Sequence, residues 1–472
     1  MTDLEWSPQQ LAVFSEIEQA RLSQHLVVQA LAGTGKTTTS VESMFRIPDD
    51  RNVLALAFNR TIANTLKARV PDGVRAQTFH GLGLSAVTRG MGRREIDGQT
   101  DSRLALEVVG RGKPLAPLRA AVRDLVSKAK NTTPGFPDPD RLDFLLDAYM
   151  IEVPRDAGRS KVIELATRIL LLSRDAPVSA PIGFDDMIWL PCVHKLPFYG
   201  NDYVFADEAQ DLNACQLHMV REACNPAGRI VLVGDPNQAI YAWRGAEQGA
   251  IGRMRRELDA EVLPLTVTYR CPKAIVNEAR ALVPEFEAHE SAPDGSVHVG
   301  LSARNLIDCV AVGDLILSRT NAPIVALCFY LLSRGRRASI LGRDLGAGLS
   351  AWVRASNAPD VATLTRAITL WEDSEIKRLE EEDRDTEPTR DKAACLRVLA
   401  RGAPSVSEVL SRIERLFARA SGRDEDGIPR DAIVLSTVHR AKGLEADRVW
   451  LLRDTFRVDS DASGEHNDTA TT

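Results

Sequence analysis

The sequence predicts an α/β protein with parallel sheets, and three observations carry that reading. Apolar runs of strand length recur along the chain, several of them followed by a polar cluster or a helical pattern. One of them, Leu26–Ala30, enters a glycine-rich turn and then a helix, the strand–turn–helix unit of α/β folds. Others end in polar residues of the kind that line the carboxyl edge of a parallel sheet, where such proteins bind ligands. With 472 residues, the chain has room for about two to four domains.

Composition sets the outer limits. At 44% hydrophobic and 26% charged residues, this is the profile of a soluble globular protein, and no apolar run is long enough to span a membrane. The cysteines (Cys192, Cys215, Cys224, Cys271, Cys309, Cys328 and Cys395) form no Cys-x-x-Cys pair. That predicts a reduced, cytoplasmic protein without zinc or iron–sulfur spacing. The net charge of −6 means that nucleic-acid binding would have to come from a local basic surface.

Taken in chain order, Trp6-Ser-Pro-Gln-Gln10 opens an amphipathic helix carrying Leu11, Phe14 and Ile17. The Gln10 amide can pair with both donor and acceptor of an adenine edge, or it is only a helix-start residue. After Leu26–Ala30 comes Leu31-Ala-Gly-Thr-Gly-Lys-Thr-Thr-Thr39, with a helical pattern over Val41–Phe45. This is the P-loop arrangement, with Ala30 where the general pattern has its first glycine. Backbone N–H groups of Ala32, Gly33, Thr34 and Gly35 would cradle phosphates at the helix start, with Lys36 on the β- and γ-phosphates. Thr37 would ligate Mg2+, and Thr38 continues the ATP-binding turn.

Val53–Phe58 ends in Asn59-Arg60, and Val74–Thr78 leads into Phe79-His80. Phe58, Asn59, Arg60, Thr78 and His80 are candidate contacts to the phosphates and bases of a strand. Taken alone, His80 reads more often as structural. Residues 88–172 read as helical, with Leu115, Leu118, Val122 and Leu125 at helical spacing. Their basic residues (Arg89, Arg93, Arg94, Arg111, Lys113, Arg119, Arg123, Lys128 and Lys130) either bear on a duplex backbone or form a solvated face.

Tyr203–Asp211 (YVFADEAQD) is an apolar strand ending in acids. Asp207 would hold magnesium through water and Glu208 would orient and deprotonate an attacking water; the alternative is a capped helix start. Ile230–Val233 ends in Gly-Asp-Pro, followed by Gln238, Tyr241, Trp243 and Arg244. Such a glutamine can read a terminal phosphate, and the aromatics with the arginine can stack nucleobases. The plainer reading is a strand and a buried aromatic turn. From about residue 266 a second α/β domain begins, with strands at Asp314–Ser318, Arg337–Leu341, Ala432–Leu435 and Arg448–Leu452. Residues 346–428 interrupt it with helices, and the charged run Glu372–Lys392 reads as a solvated helix plus loop.

The ordered motifs AGTGKT, AFNRT, TFHGL, DEAQD, GDPNQAIYAWRGA, TYR and STVHRAKGLEADRVWL resemble the UvrD/Rep-type superfamily 1 DNA helicases. Phe184–Pro191 resembles the F-box DNA helicase subgroup. The resemblance covers residues 6–87, 183–275, 314–343 and 431–452. It implies two RecA-like P-loop domains with parallel sheets, each interrupted by a mainly helical insertion. The first domain would be 1–87 with 173–265, interrupted by 88–172. The second would be 266–345 with 429–458, interrupted by 346–428.

The resemblance also implies ATP- and Mg2+-dependent movement along single-stranded DNA, 3′ to 5′, at duplex junctions. Lys36, Glu208, Gln238 and Arg270 would be catalytic. Gln238 would contact the γ-phosphate and couple hydrolysis to the DNA track, with Tyr241, Trp243 and Arg244 on the strand. Tyr269 would pack on adenine, and Arg270 would be an arginine finger reaching across from the second domain. Thr437, His439 and Lys442 would touch DNA, while Gly443 and Glu445 would help hold the nucleotide. The family pattern continues with a Tyr-Val-Ala-x-Thr-Arg-Ala helix, whereas residues 459–472 here are polar, aperiodic and read as disordered. The expectation is weak unaided turnover, relieved if a protein partner supplies the missing arginine, or else an ATP- and DNA-binding protein without turnover.

Overall fold

The computed structural model describes residues 5–19, 24–112, 114–154, 156–239, 250–300, 303–381, 386–417 and 431–456. Two compact units divide the chain, Met1–Val297 and His298–Thr472, and each has its own parallel sheet.

In the first unit, β1 (Leu26–Ala30), β2 (Val53–Ala57), β3 (Arg75–Thr78), β4 (Asn201–Ala206), β5 (Cys224–Gly234) and β6 (Glu261–Leu265) form one sheet. Its order is β3-β2-β4-β5-β1-β6, and every pairing is parallel. The near-continuous apolar runs follow from that topology, because such a sheet is covered on both faces. Alternate residues point to opposite sides. Val28, Val53, Ala55 and Ala57 pack with Val13, Ile17 and Met44 on one side. Val27, Leu54, Leu56 and Leu232 join the insertion helices on the other.

The helix Pro8–Glu18 starts in a reciprocal capping box between Ser7 and Gln10. Its buried stripe is Gln10, Val13, Phe14 and Ile17. Leu11, expected on that stripe, is 48% exposed, because it falls outside the face defined by its neighbours at positions 10, 13, 14 and 17.

The insertion is helical as its spacing predicts, with helices Thr100–Val109, Ala116–Thr132, Pro139–Ala148 and Arg159–Arg174. Val122 and Leu125 are fully buried. Several of its basic residues are not surface charges. Lys130 is fully buried, with its Nζ 2.7 Å from Asp101 and 2.6 Å from Asp186. Burial disfavours its ammonium, but the two carboxylates outweigh that and keep it charged. Arg94 donates to the carbonyls of Pro177 and Ala176, and Arg119 to those of Gly110 and Gly112. Lys113 lies outside the described residues.

The second domain is expected from about residue 266, yet the compact first unit runs on to Val297. The reason is local packing. Beyond the parallel pair β7 (Val267–Thr268) and β8 (Glu287–Ala288), Val276 and Phe286 bury against Leu31. The Tyr269 N–H also donates to the Gly33 carbonyl at 2.9 Å.

In the second unit, β9 (Leu315–Ser318), β10 (Ala338–Ile340), β11 (Ile433–Thr437) and β12 (Val449–Leu451) pair in parallel, in the order β10-β11-β9-β12. Helices Arg343–Ala355, Val361–Glu381, Glu387–Ala400 and Val406–Leu416 bury Leu349, Leu364, Leu396 and Ile413 in one core with Ile316, Ile433 and Leu435. The run Glu372–Lys392 falls in the middle two of these helices, apart from Thr386, which precedes the second, and residues 382–385 outside the described set. Asp314, 4% exposed, accepts from Arg448 Nε and Nη2 (2.9 and 2.6 Å) and from Trp450 Nε1 (2.8 Å). Among the described residues, no helix is long and apolar enough to cross a membrane.

Candidate nucleotide site and nucleic-acid edge

Because all six strands of the first sheet run the same way, their carboxyl ends share one edge. Following sheet order, that edge carries Thr78 at the end of β3, Phe58 and Asn59 after β2, and Asp207 and Glu208 after β4. Asp235 and Gln238 follow after β5, the turn Leu31–Gly35 after β1, and Thr266–Arg270 after β6.

The turn after β1 has Gly33 at φ 70° and Gly35 at φ 82°, both in the left-handed region that favours glycine. A Cβ on Gly33 would stand 2.4 Å from Thr268 Oγ1 and 2.6 Å from Arg270 Cβ. The helix Lys36–Phe45 begins at Gly35 without a side-chain cap. Its first N–H groups are therefore available to a phosphate, which the helix dipole also favours. Lys36 Nζ donates to the carbonyls of Ala30 and Leu31 at 3.2 and 3.4 Å.

Thr37 Oγ1 donates to Asp207 Oδ2 at 3.2 Å. Burial, followed by the charge of Glu208, pushes the Asp207 carboxyl up to about 6. A hydroxyl beside a carboxylate, next to a phosphate turn, is the oxygen donor set that suits Mg2+, which keeps waters and takes few protein ligands.

Glu208 adopts φ 53°, a left-handed conformation uncommon outside glycine, and its N–H donates to Asp207 Oδ1 at 2.9 Å. Its carboxylate accepts from Gln210 Nε2. The other end of that amide, Gln210 Oε1, accepts the Asp235 N–H at 3.0 Å, and Asp235 Oδ2 accepts from Gln238 Nε2 at 2.7 Å. Gln210 is 1% exposed and fits tightly: a Cβ on Gly234 would lie 2.4 Å from its Oε1. Four residues therefore run as one hydrogen-bonded relay from the acid after β4 to the glutamine after β5, through the backbone N–H of Asp235. Sequence reasoning gave Gln210 and Asp235 no role. The only available signal was chemical, since an amide can donate to a carboxylate and accept from a backbone N–H at once.

Gln10 and Tyr269 meet beside the turn. Gln10 Oε1 accepts from the Ser7 N–H (3.0 Å) and the Tyr269 hydroxyl (3.2 Å), while Nε2 donates to Thr39 Oγ1 (3.0 Å). The Tyr269 ring lies 4.8 Å from the His289 ring. Gln9, also missed, forms two 2.8 Å bonds with Thr266, which tie the first helix to the chain after β6. Tyr269 and Arg270 thus belong to the first unit, where the sequence placed Arg270 across a domain boundary.

On the other half of the edge, Ala57 and Thr78 are in register across β2 and β3. Asn59 caps the helix Arg60–Lys67 by accepting the Ile62 N–H at 2.8 Å. Thr78 caps the helix Phe79–Met91 through the Gly81 N–H at 3.1 Å. His80 meets Phe184 edge-on at 6.4 Å. Burial, opposed by Asp185 and aided by the Arg60 charge, holds its imidazole below the usual range. Tyr241, Trp243 and Arg244 lie outside the described residues. In the second unit, Thr437 ends β11, and His439, Lys442, Gly443 (φ 83°) and Glu445 follow in the next turn of chain. Burial and the Arg319 charge lower the His439 pKa.

A profile described as the UvrD/REP helicase N-terminal domain matches residues 199–259, the stretch that holds Asp207, Glu208 and Gln238. The chain is 25% identical over 486 residues to F-box DNA helicase protein 1 of Schizosaccharomyces pombe, covering 93% of this chain and 51% of that protein. It is 25% identical to the ATP-dependent DNA helicase PcrA of Staphylococcus epidermidis, covering 55% of this chain and 38% of that protein. A probable DNA helicase II homolog of Mycoplasma pneumoniae is 26% identical over 57% of this chain and 41% of its own length. The chain thus spans about half the length, or less, of these relatives.

Proposed function

We propose that this chain is an ATP hydrolase that moves along single-stranded DNA at duplex junctions, 3′ to 5′, as a helicase or translocase. The observation that carries the reading is the relay Glu208–Gln210–Asp235–Gln238. It begins at the acid suited to orienting water and ends at the residue suited to the γ-phosphate, between the two halves of one sheet edge. In this reading the turn Ala32–Gly35, Lys36 and the start of the following helix hold the phosphates, with Thr38 completing the turn. Gln10 and Tyr269 hold the adenine, and Arg270 stabilises charge on the γ-phosphate. Thr37 and Asp207 hold magnesium, which would offset the negative charge of the phosphates when bound. Glu208 orients and deprotonates the attacking water. Phe58, Asn59, Arg60, Thr78, His80, Tyr241, Trp243 and Arg244 form the strand track of the first unit. Thr437, His439 and Lys442 are the proposed strand contacts of the second unit, and Gly443 and Glu445 its proposed nucleotide contacts.

The test is ATP turnover by the purified chain with and without a single-stranded oligonucleotide. Stimulation by the strand, loss of turnover in Glu208→Gln and loss of nucleotide binding in Lys36→Ala are the expected results. Equal turnover in wild type and Glu208→Gln would sink the hydrolase reading. Binding of both ligands without turnover would leave a binding protein in its place.

A further inference from the structure

The relay and the phosphate turn occupy the carboxyl edge of the first sheet. A second concavity lies at the opposite, amino-terminal end, along the open side of β3. It encloses about 430 Å³ and is lined in part by Leu54, Lys67, Arg75, Arg89, Tyr199 and Asn201. Its floor is apolar and its rim is cationic. The Arg89 guanidinium lies 3.8 Å from the centroid of the Tyr199 ring and that of Arg75 lies 5.6 Å away, yet the tyrosine is 62% exposed. Among the described residues, none of Lys67, Arg75 and Arg89 forms an ion pair with a carboxylate.

The pocket is also held in shape from below. Asn201, fully buried, donates to the carbonyls of Tyr199 and Ala223 at 2.7 Å each and accepts from Arg75. Arg89 donates to the Pro197 carbonyl at 3.0 Å. Lys67 and Arg89 each occupy the last turn of a helix. Two helix ends bring roughly −0.5 charge each, so three cations leave about +2 at the rim.

We infer that this pocket binds one nucleotide of a nucleic-acid strand, with the cations on its phosphates and the Tyr199–Arg89 pair as the stacking surface for its base. A volume of this size falls in the range of small-ligand sites. An anion that also carries a flat ring satisfies both halves of the lining, the cationic rim and the aromatic face. Position supports a strand over a free nucleotide. Thr78, on the proposed strand track, and Arg75, in the pocket, are the two ends of the four-residue strand β3. They are about 10 Å apart at a strand's rise per residue, so one continuous strand turning over the sheet edge reaches both. The inference rests on the single-stranded DNA reading above.

The experiment is fluorescence anisotropy of a labelled oligothymidylate with the full chain over a salt series. Lys67→Gln with Arg89→Gln should lower the slope of log affinity against log salt by about 1.4, at roughly 0.7 per phosphate contact. Tyr199→Ala should weaken binding about 5- to 150-fold, the range for loss of one stacked base. ATP turnover without DNA should stay at the wild-type rate in all these variants. Wild-type affinity and slope in the variants would overturn the pocket while leaving the function reading intact. No binding by the wild-type chain would overturn both. Binding of a labelled polyglutamate peptide that the variants lose, with oligonucleotide binding unchanged, would overturn it in favour of an acidic peptide.

Discussion

Gln210 uses both ends of one buried amide, donating to Glu208 and accepting from the Asp235 N–H. Gln210→Ala leaves that buried N–H without its acceptor, at a cost of about 1–3 kcal/mol. It also removes one hydrogen bond that positions the Glu208 carboxylate, and misplacing a catalytic group by an ångström costs on the order of 100-fold. DNA-stimulated kcat should therefore fall about 100-fold while the nucleotide Kd stays near wild type. Gln210→Glu sets a buried carboxylate against that of Glu208, so it should recover neither stability nor turnover. Equal kcat in wild type and both variants would show that Gln210 positions nothing. Asp314 gives a pH-dependent case in the second unit. Burial pushes its carboxyl up, but bonds from Arg448, the Ala311 N–H and Trp450 outweigh that and hold it below the usual range. Its stabilisation is thus complete above the unfolded value of about 3.9 and drains away as pH falls through the lower folded value. Asp314→Asn should lower thermal stability by about 1–3 kcal/mol at pH 7, and the gap to wild type should narrow only below about pH 4.

Helix caps separate two readings of the same residue. Asn59 caps Arg60–Lys67 and also stands in the proposed strand track. Asn59→Ala should cost about 1 kcal/mol in denaturant unfolding, because the Ile62 N–H loses its partner. Asn59→Asp caps equally well but sets a negative charge against the strand, so stability should hold while oligonucleotide affinity drops several-fold. An unchanged affinity in Asn59→Asp would remove this residue from the track. At this scale much was legible. The strands at 26–30, 53–57 and 201–206 announce themselves because a parallel sheet covered on both faces demands unbroken apolar runs. The glycine turn after β1 was legible because glycine is needed where φ is positive. Leu11 was misread, since the buried stripe of the first helix includes Gln10, a polar residue that no hydrophobic pattern reveals. Lys130 and Gln210 were out of reach for a related reason: a buried polar group is defined by partners far away in sequence.

The two units have separate cores, one built on six parallel strands and one on four. Calorimetry of the nucleotide-free chain should resolve two transitions. A non-hydrolysable ATP analogue with magnesium at 100 times its Kd should stabilise the first by about 2.7 kcal/mol, and Lys36→Ala should abolish that shift. A single transition, or a shift retained in Lys36→Ala, would count against this division. The coupling proposed along the sheet edge also has a thermodynamic signature. Whatever factor the nucleotide applies to oligonucleotide affinity, the oligonucleotide must apply to nucleotide affinity. Disrupting the relay with Gln238→Ala should bring both factors toward one.

The buried ammonium of Lys130 sets a limit on cutting and splicing this protein. Its two counter-ions belong to different stretches, Asp101 within the helical insertion and Asp186 beyond it. Excising residues 88–172 would leave Asp186 facing the core without its cation. The donor fragment would in turn carry a lysine with one of its two anions. Removing one partner of a buried ion pair costs about 3–5 kcal/mol, a large share of the roughly 5–15 kcal/mol that keeps a domain folded. What reads in the sequence as a detachable cassette is wired into its host. Homologous swaps in this region should succeed only when the helix Phe184–Val193 travels with the graft.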